Sequence, residues 1–483
     1  MMEHGKAPGL DGLPLELWKL PKVSKVLRTF CNNALSGNRP AEWGLSGLVP
    51  VPKKGNLTLP DNYRGISLTQ IAAKVYNRLL LNRLRPVLDQ LLRPNQNGFR
   101  PLRSTSAQIL ALRRIVEEVR NHRKEAVLVF IDFRKAFDSI NRNTMFEILL
   151  AYGVPPPLVE AIRDMYVNTS ATVLTPEGET DTFSIDTGVL QGDPLAPFLF
   201  ILTLDYAMRK AVEPNDGLTL KRRQSTRHPA TVLPDLDFAD DICLLEDTLS
   251  TAQDFLHRVE TAVQDIGLFL NASKTKFMHI NPPDESCQLV TNDGLSIDLV
   301  NDFKYLGSYT NTAHDVKCRI GQAWGASHAL TKVWKAMIAR STKLKVFKTC
   351  VETILLYGSE SWTLTKTLSK KIDGNYTRLL RAALNISWKR HMTNKQLYGG
   401  MPYISKVIRN RRLALAGHVM RHEEVANMVL LWQPDAKRRS GRPTLTLKKL
   451  IEDDAGLMGN DLIATMLDRS VWKNFMVSPT RVG

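Results

Sequence analysis

Six consecutive apolar residues, Ala126-Val127-Leu128-Val129-Phe130-Ile131, run straight into Asp132. No polar position interrupts them, so the run predicts a short strand buried on both faces rather than an amphipathic helix or a half-exposed strand. The residue that ends it places a charge where charge is costly unless it is solvated, paired or bound to a cation. Further on, Leu236-Asp237-Phe238-Ala239-Asp240-Asp241-Ile242-Cys243-Leu244-Leu245 sets two apolar arms around an aspartate pair, the pattern of a tight hairpin. If these strands are neighbours in one sheet, Asp132 and Asp240 meet at one edge with Asp241 beside them. Two or three carboxylates on rigid strands suit Mg²⁺, and two such ions about 3.5–4 Å apart clamp the attacking and leaving oxygens of a phosphoryl transfer. An isolated Asp-Asp pair is more often a plain turn, so the reading depends on its surroundings.

The remaining pattern is mixed α and β. Helices are expected over Leu13 to Phe30, over 66–93, from Ser104 to Asn121 and over 251–266, with strands over Ala171 to Leu174 and Lys274 to Ile280. After Gly307 the pattern turns mainly helical and basic, and boundaries are expected near 125, 310 and 400. No apolar run approaches the roughly 18 residues that cross a bilayer, and no secretory leader pattern opens the chain. Five widely spaced cysteines without a CxxC argue against a disulfide scaffold or a zinc ribbon and for a reducing, intracellular setting. His418 and His422 share one helix face but lack a third ligand at zinc spacing.

Charge divides the chain. Residues 1–300 hold 34 Lys and Arg against 35 Asp and Glu, a net of −1, whereas residues 301–483 hold 31 against 13, a net of +18. A basic lobe on a neutral one points to a polyanionic partner.

The context for the aspartates lies in further segments in a fixed order. Phe130-Ile131-Asp132-Phe133-Arg134-Lys135-Ala136-Phe137-Asp138 resembles the first palm motif of reverse transcriptases, and Gly188-Val189-Leu190-Gln191-Gly192-Asp193-Pro194-Leu195-Ala196-Pro197 resembles their QG motif. Phe238-Ala239-Asp240-Asp241 resembles the catalytic box, Gly267 to Asn271 with Lys274-Thr275-Lys276 the fourth motif, and Phe303-Lys304-Tyr305-Leu306-Gly307 the primer grip. Tyr63 to Leu68 and Asn97-Gly98-Phe99-Arg100 look like finger motifs. Gly5 to Gly12 at the front, with Arg409 to Arg421 and Lys437 to Pro443 near the end, is similar to the non-LTR (LINE-type) retrotransposon branch. Leu190 departs from that pattern, standing where a basic residue is common.

The resemblance implies a right-hand polymerase of mixed α/β (α+β) class: fingers over 1–125, a palm with a central antiparallel sheet over 126–310, a helical thumb over 311–400 and a basic nucleic-acid-binding extension over 401–483. It implies RNA-directed DNA synthesis by two-metal phosphoryl transfer, with an RNA template, a DNA primer or target and deoxynucleoside triphosphates. Asp132, Asp240 and Asp241 would hold two Mg²⁺ ions, for which Mn²⁺ could substitute, and Lys274 would protonate the leaving pyrophosphate. Phe133, Phe137, Gln191, Gly192, Lys53 and Arg64 would meet the nucleotide, with Phe137 as the gate against a ribose 2′-hydroxyl. Arg409, Arg411, Arg412, Lys437, Arg438 and Arg439 would bind nucleic acid, as would Lys343, Lys345 and Lys348. Asp138 and Asp193 read as caps or turn residues, and Trp324, Trp334, Trp362 and Trp388 as core.

Retrotransposition in the nucleus is the expected setting, and an upstream endonuclease domain, usual in such elements, is expected to be missing from this piece. A maturase-like polymerase, an RNA-dependent RNA polymerase and a non-catalytic RNA-binding relic are the alternatives; Phe137 and the intact aspartates argue against the last two. Removing 401–483 is expected to weaken nucleic-acid binding and flatten its salt dependence while sparing single-nucleotide addition.

Overall fold

The computed structural model describes residues 4–53, 55–283, 288–436, 438, 440–441 and 444–476. Ala126–Ile131 forms a strand with all six residues buried. It lies inside a six-stranded sheet with the spatial order Leu289–Val290, Ser296–Leu299, Lys276–Ile280, Ala126–Ile131, Asp241–Glu246, Asp235–Phe238. Both its neighbours run antiparallel to it, with Ile131 opposite Ile242 and Phe130 opposite Lys276. Ser296–Leu299 runs parallel to Lys276–Ile280. This is the mixed architecture with a central antiparallel sheet that the sequence led us to expect.

Alternation along the buried strand explains its uninterrupted apolar text. Val127, Val129 and Ile131 enter one core with residues of helices Ala196–Ala211 and Leu249–Gln264. Ala126, Leu128 and Phe130 enter a second core with helix Thr105–Asn121 and the C-terminal helices, including Leu413, Ala416 and Trp472. Each large side chain so buried contributes about 1.5–3 kcal/mol relative to exposure. Helix Thr105–Asn121 starts where Ser104 Oγ accepts the Ala107 N–H at 3.2 Å.

A third core gathers helices Thr312–Ala329, Arg340–Phe347 and Lys366–Ala383, with Trp334 and Trp362 inside it. Helix Ile404–Met420 belongs to two cores: Ile404 and Ile408 pack into the third, Leu413, Ala416 and Val419 into the second. The expected boundary near 400 therefore falls just ahead of a helix that joins two cores, so helix Ile404–Met420 is not part of a detachable tail.

Two local expectations needed revision. Residues 66–93 are not one helix: Tyr63–Leu68 is a strand and the helix is Ile71–Leu88. That strand pairs with Leu45–Pro52, which runs parallel to Ser170–Thr175 more than a hundred residues later; nothing local announces such a pairing. The first helical stretch breaks into Leu15–Trp18 and Pro21–Leu35, because the residue before a proline is driven out of helical geometry. No helix among the described residues is long and apolar enough to cross a membrane.

Candidate active site

Asp132 lies one step past the end of the buried strand. Its backbone N–H donates to Thr275 Oγ1 at 3.2 Å and its carbonyl accepts the Asn271 N–H at 2.8 Å, so the neighbouring segment clamps it from the side. Across the sheet, Asp241 pairs with Phe238 and Ile242 with Ile131. Extending that antiparallel register by one residue sets Asp241 opposite Asp132. Ala239 and Asp240 form the two-residue bend, with Ala239 at φ +56°.

Asp132 bears on both carboxylates of the turn. Burial raises the Asp240 pKa, and the charge of Asp132 raises it further, while its own backbone N–H and Arg64 pull the other way. Part of Asp241 meets solvent, yet its carboxyl is pushed up to about 7, first by surrounding protein and then by the charges of Asp240 and Asp132. The Asp132 carboxyl is raised by burial, against the opposing charges of Lys274 and Lys53. Lys274 Nζ stands 3.8 Å from Asp132 Oδ2, and that oxygen is shielded from water without a hydrogen-bond partner. Among the described residues, no group of three or more His, Cys, Asp or Glu side chains is close enough to form a ready metal cluster. The donor set still fits a hard divalent cation: oxygen ligands only, mutual repulsion, and an orphaned carboxylate oxygen.

Lys53 and Arg64 are exposed on the paired segments that flank this edge, and their charges reach Asp132 and Asp240 respectively. Gln191 and Gly192 dock on the strand carrying Arg64. Ser67 N–H donates to the Gln191 carbonyl at 2.6 Å, and a Cβ on Gly192 would lie 2.3 Å from the Ser67 carbonyl oxygen. Asp193 is a buried turn residue whose Oδ1 accepts the Leu195 N–H at 3.2 Å. The half-buried Phe137 ring stacks on Phe200 at 4.5 Å and meets Phe99 edge-on at 6.3 Å. Phe303 stacks on Phe130 at 4.0 Å and Tyr305 Oη donates to the Leu236 carbonyl at 3.0 Å, so the primer-grip-like segment rests against the central sheet.

Several expected contacts are engaged inside the protein. Phe133 is buried in the core, so its ring does not face a nucleotide. Arg409 and Arg412 both pair with Asp454, Arg411 pairs with Glu360, and Arg412 is buried. Arg412 is thus engaged inside the protein, whereas Arg409 and Arg411 keep part of their surface in solvent beside these carboxylates. Lys343 is likewise buried and donates to the Trp334 carbonyl at 2.6 Å. Arg438 is exposed and donates to the Thr444 carbonyl at 3.3 Å. Lys437, Arg439 and the side chain of Trp388 lie outside the described residues.

The sequence marks Asn97-Gly98 only as part of a finger motif; it does not show that these residues, with Arg93, Asn95 and Gln96, back the aspartate turn. Asn97 N–H donates to the Asp237 carbonyl at 2.9 Å and Asp237 N–H to the Asn95 carbonyl at 3.1 Å, while Gln96 bonds to Ala239. Below them Arg93 bridges Asp235 and Asp237 at 2.7 and 2.6 Å. The available signal was a polar run, Asn95-Gln96-Asn97, set between Pro94 and Gly98.

The family described as "Reverse transcriptase (RNA-dependent DNA polymerase)" matches residues 51–310. The Pol polyprotein of the type-1 retrotransposable element R2 of Popillia japonica is 27% identical over 403 residues, covering 81% of this chain and 54% of its own length. The Pol polyprotein of the type-2 element R2DM of Drosophila melanogaster is 26% identical over 355 residues, covering 71% of this chain and 32% of its own length. The chain thus spans about half, or less, of these relatives. Among solved structures, telomerase from Candida tropicalis with a fragment of telomeric RNA aligns at a TM-score of 0.40 and 12% identity, covering 86% of this chain and 68% of that one.

Proposed function

Because this chain belongs to the reverse transcriptase family, we propose that it extends the 3′-hydroxyl of a DNA primer on an RNA template in retrotransposition, at chromosomal DNA in the nucleus. The observation that supports this most directly is the meeting of Asp132 with the Asp240–Asp241 turn at one sheet edge, with Asp132 Oδ2 unpartnered.

Asp132, Asp240 and Asp241 would hold the divalent cations, two Mg²⁺ or Mn²⁺ ions. Such ions, when bound, supply Lewis-acid stabilisation of the charge on the reacting oxygens. In the reaction the primer 3′-oxygen bonds to the α-phosphorus of a deoxynucleoside triphosphate. The α–β P–O bond breaks, and pyrophosphate leaves with the bonding pair. The hydroxyl proton passes to solvent, and Lys274 protonates the departing pyrophosphate. Lys274 is exposed, with its Nζ 3.8 Å from Asp132 Oδ2, beside the carboxylates that would hold the cations. Lys53 and Arg64 bring cationic donors to the triphosphate. Gln191 and Gly192 present the turn against which the new base pair sits, and Phe137 crowds a 2′-hydroxyl.

Primer extension on an RNA template, with purified protein and Mg²⁺, tests the proposal. Template-dependent incorporation of deoxynucleotides is the expected result. Its absence from a folded, template-binding protein would overturn the reading.

A further inference from the structure

The aspartate turn is a strained one. Ala239 and Asp240 are its two central residues, and of these only Ala239 has a positive φ. A positive φ at the first central position belongs to the type II′ hairpin turn, where glycine is the ordinary occupant. An alanine there persists only when its surroundings over-determine the backbone.

The bonds to the strained residue itself come from one side chain. Gln96 is 1% exposed. Its Oε1 accepts the Ala239 N–H at 2.8 Å and the Gly98 N–H at 2.7 Å, and its Nε2 donates to the Ala239 carbonyl at 3.2 Å. Both backbone groups of the strained residue are thus satisfied by a single amide, as a paired strand would satisfy them. Backbone bonds from Asn95 and Asn97 to Asp237 lock the preceding residues to the same segment. Gly98 closes against the turn as well, since a Cβ there would lie 2.2 Å from the Ala239 nitrogen.

We infer that Gln96 is a positioning residue for polymerisation: it fixes the backbone of Ala239 and, through it, the placement of Asp240. Resting on the function proposed above, this assigns to Gln96 a role in turnover without contact to primer, template or nucleotide. Losing the amide frees the turn to relax toward an unstrained conformation, which re-aims Asp240 relative to Asp132. Binding of template and nucleotide, which depends on other surfaces, is then spared.

The near-isosteric Gln96→Met removes all three hydrogen bonds, whereas Gln96→Glu keeps the accepting oxygen. Gln96→Met is expected to lower kcat by about 10- to 100-fold, the usual effect of removing a group that orients a metal ligand. KM for the nucleotide and Kd for primer–template should stay within about threefold of wild type, a range the surviving binding contacts allow. Gln96→Glu should recover much of the loss. Amide exchange at Ala239 should accelerate in Gln96→Met, a readout that needs no activity and separates this inference from the polymerase reading. A folded Gln96→Met with unchanged kcat, or with unchanged Ala239 exchange, would overturn the role. So would a rise in KM and Kd matching the fall in kcat. If Gln96→Met does not fold, Gly98→Ala carries the same test from the other side of the turn: a kcat-selective loss supports the role, and wild-type kcat defeats it.

Discussion

The Arg113 guanidinium and the Asp315 carboxylate meet at 2.8 Å, both nearly shut off from solvent. Arg113 also donates to the Tyr309 carbonyl, Ser308 Oγ, the Gly358 carbonyl and Ser361 Oγ. One side chain of helix Thr105–Asn121 therefore fixes the start of helix Thr312–Ala329 to the body of the protein. Burial alone would raise the Asp315 pKa, but Arg113 and the hydrogen bonds to the carboxylate more than offset it and the net shift is downward. Arg113→Met should cost up to about 3–5 kcal/mol, because it takes the closest charge partner from a buried carboxylate and leaves it Arg319 at 3.7 Å and the neutral donors of Ser308, Tyr309 and Trp362. Denaturant unfolding would measure it, and a loss under about 1 kcal/mol would contradict the arrangement.

Asp132→Asn and Asp240→Asn should each lower primer extension by at least about a hundredfold, equivalent to about 3 kcal/mol of barrier. Template affinity should hardly change, since neither residue needs to touch the template. Single-turnover extension beside filter binding reads both quantities, and wild-type rates in either variant would remove these residues from the chemistry.

Phe137→Val should relax discrimination against ribonucleotides by about 10- to 100-fold in the ratio of kcat/KM values, the scale of a lost steric contact in a substrate pocket. The stacking on Phe200 adds a stability cost of about 0.5–1.5 kcal/mol. Reduced stability with an unchanged ratio would make Phe137 a packing residue only.

Asp193 supplies a pH test. Burial lifts its pKa from 3.8 to about 6, against the lowering effect of its bonds to Leu195 and Asn77. A folded pKa above the unfolded one favours folding fully below about pH 4, and that contribution is lost as pH rises through 6. The linkage amounts to roughly 3 kcal/mol at most. Asp193→Asn keeps an acceptor for Leu195, and its Nδ2 gains an acceptor when the Asn77 amide turns over to present Oδ1, which is buried without a partner. The variant should gain on wild type as pH rises from 4 to 7 in urea titrations, and parallel curves would refute this.

Gly417 sits in helix Ile404–Met420, where alanine normally gains about 1 kcal/mol over glycine. Here a Cβ would lie 2.3 Å from the buried Trp472 ring. Gly417→Ala should therefore lower the melting temperature instead of raising it. Deleting 401–483 should lower it further and abolish extension even at low salt, because the second core loses one of its walls. A well-folded, active truncation would restore the separable tail expected from charge alone.

Elements whose cause is local were legible in the sequence. The unbroken apolar run at 126–131 reported a strand covered on both faces, and Ser104 announced the start of its helix. The aspartate turn could be read as a hairpin, because the apolar arms and the bend are contiguous. What could not be read depends on remote partners. Arg412 and Arg438 look equally cationic in the sequence, yet one is buried on Asp454 and the other exposed. Gln96 is an unremarked polar residue until residue 239 is brought against it. The strand Leu45–Pro52 is not among the elements expected from the sequence, and its parallel partner begins only at Ser170.

Helix Thr105–Asn121 also has a bearing on biosynthesis. Arg114 is fully buried and donates to the Leu430 and Trp432 carbonyls, while Glu117 accepts the Leu447 N–H, a partner 330 residues further along the chain. At about 5–20 residues per second, the ribosome needs roughly 15–70 s to deliver that partner after the helix has emerged. Through that interval an arginine destined for the interior has no native acceptors from the C-terminal segment. Until then this face of the sheet lacks the side chains that cover it, and a chain cut short ahead of Leu430 cannot close it.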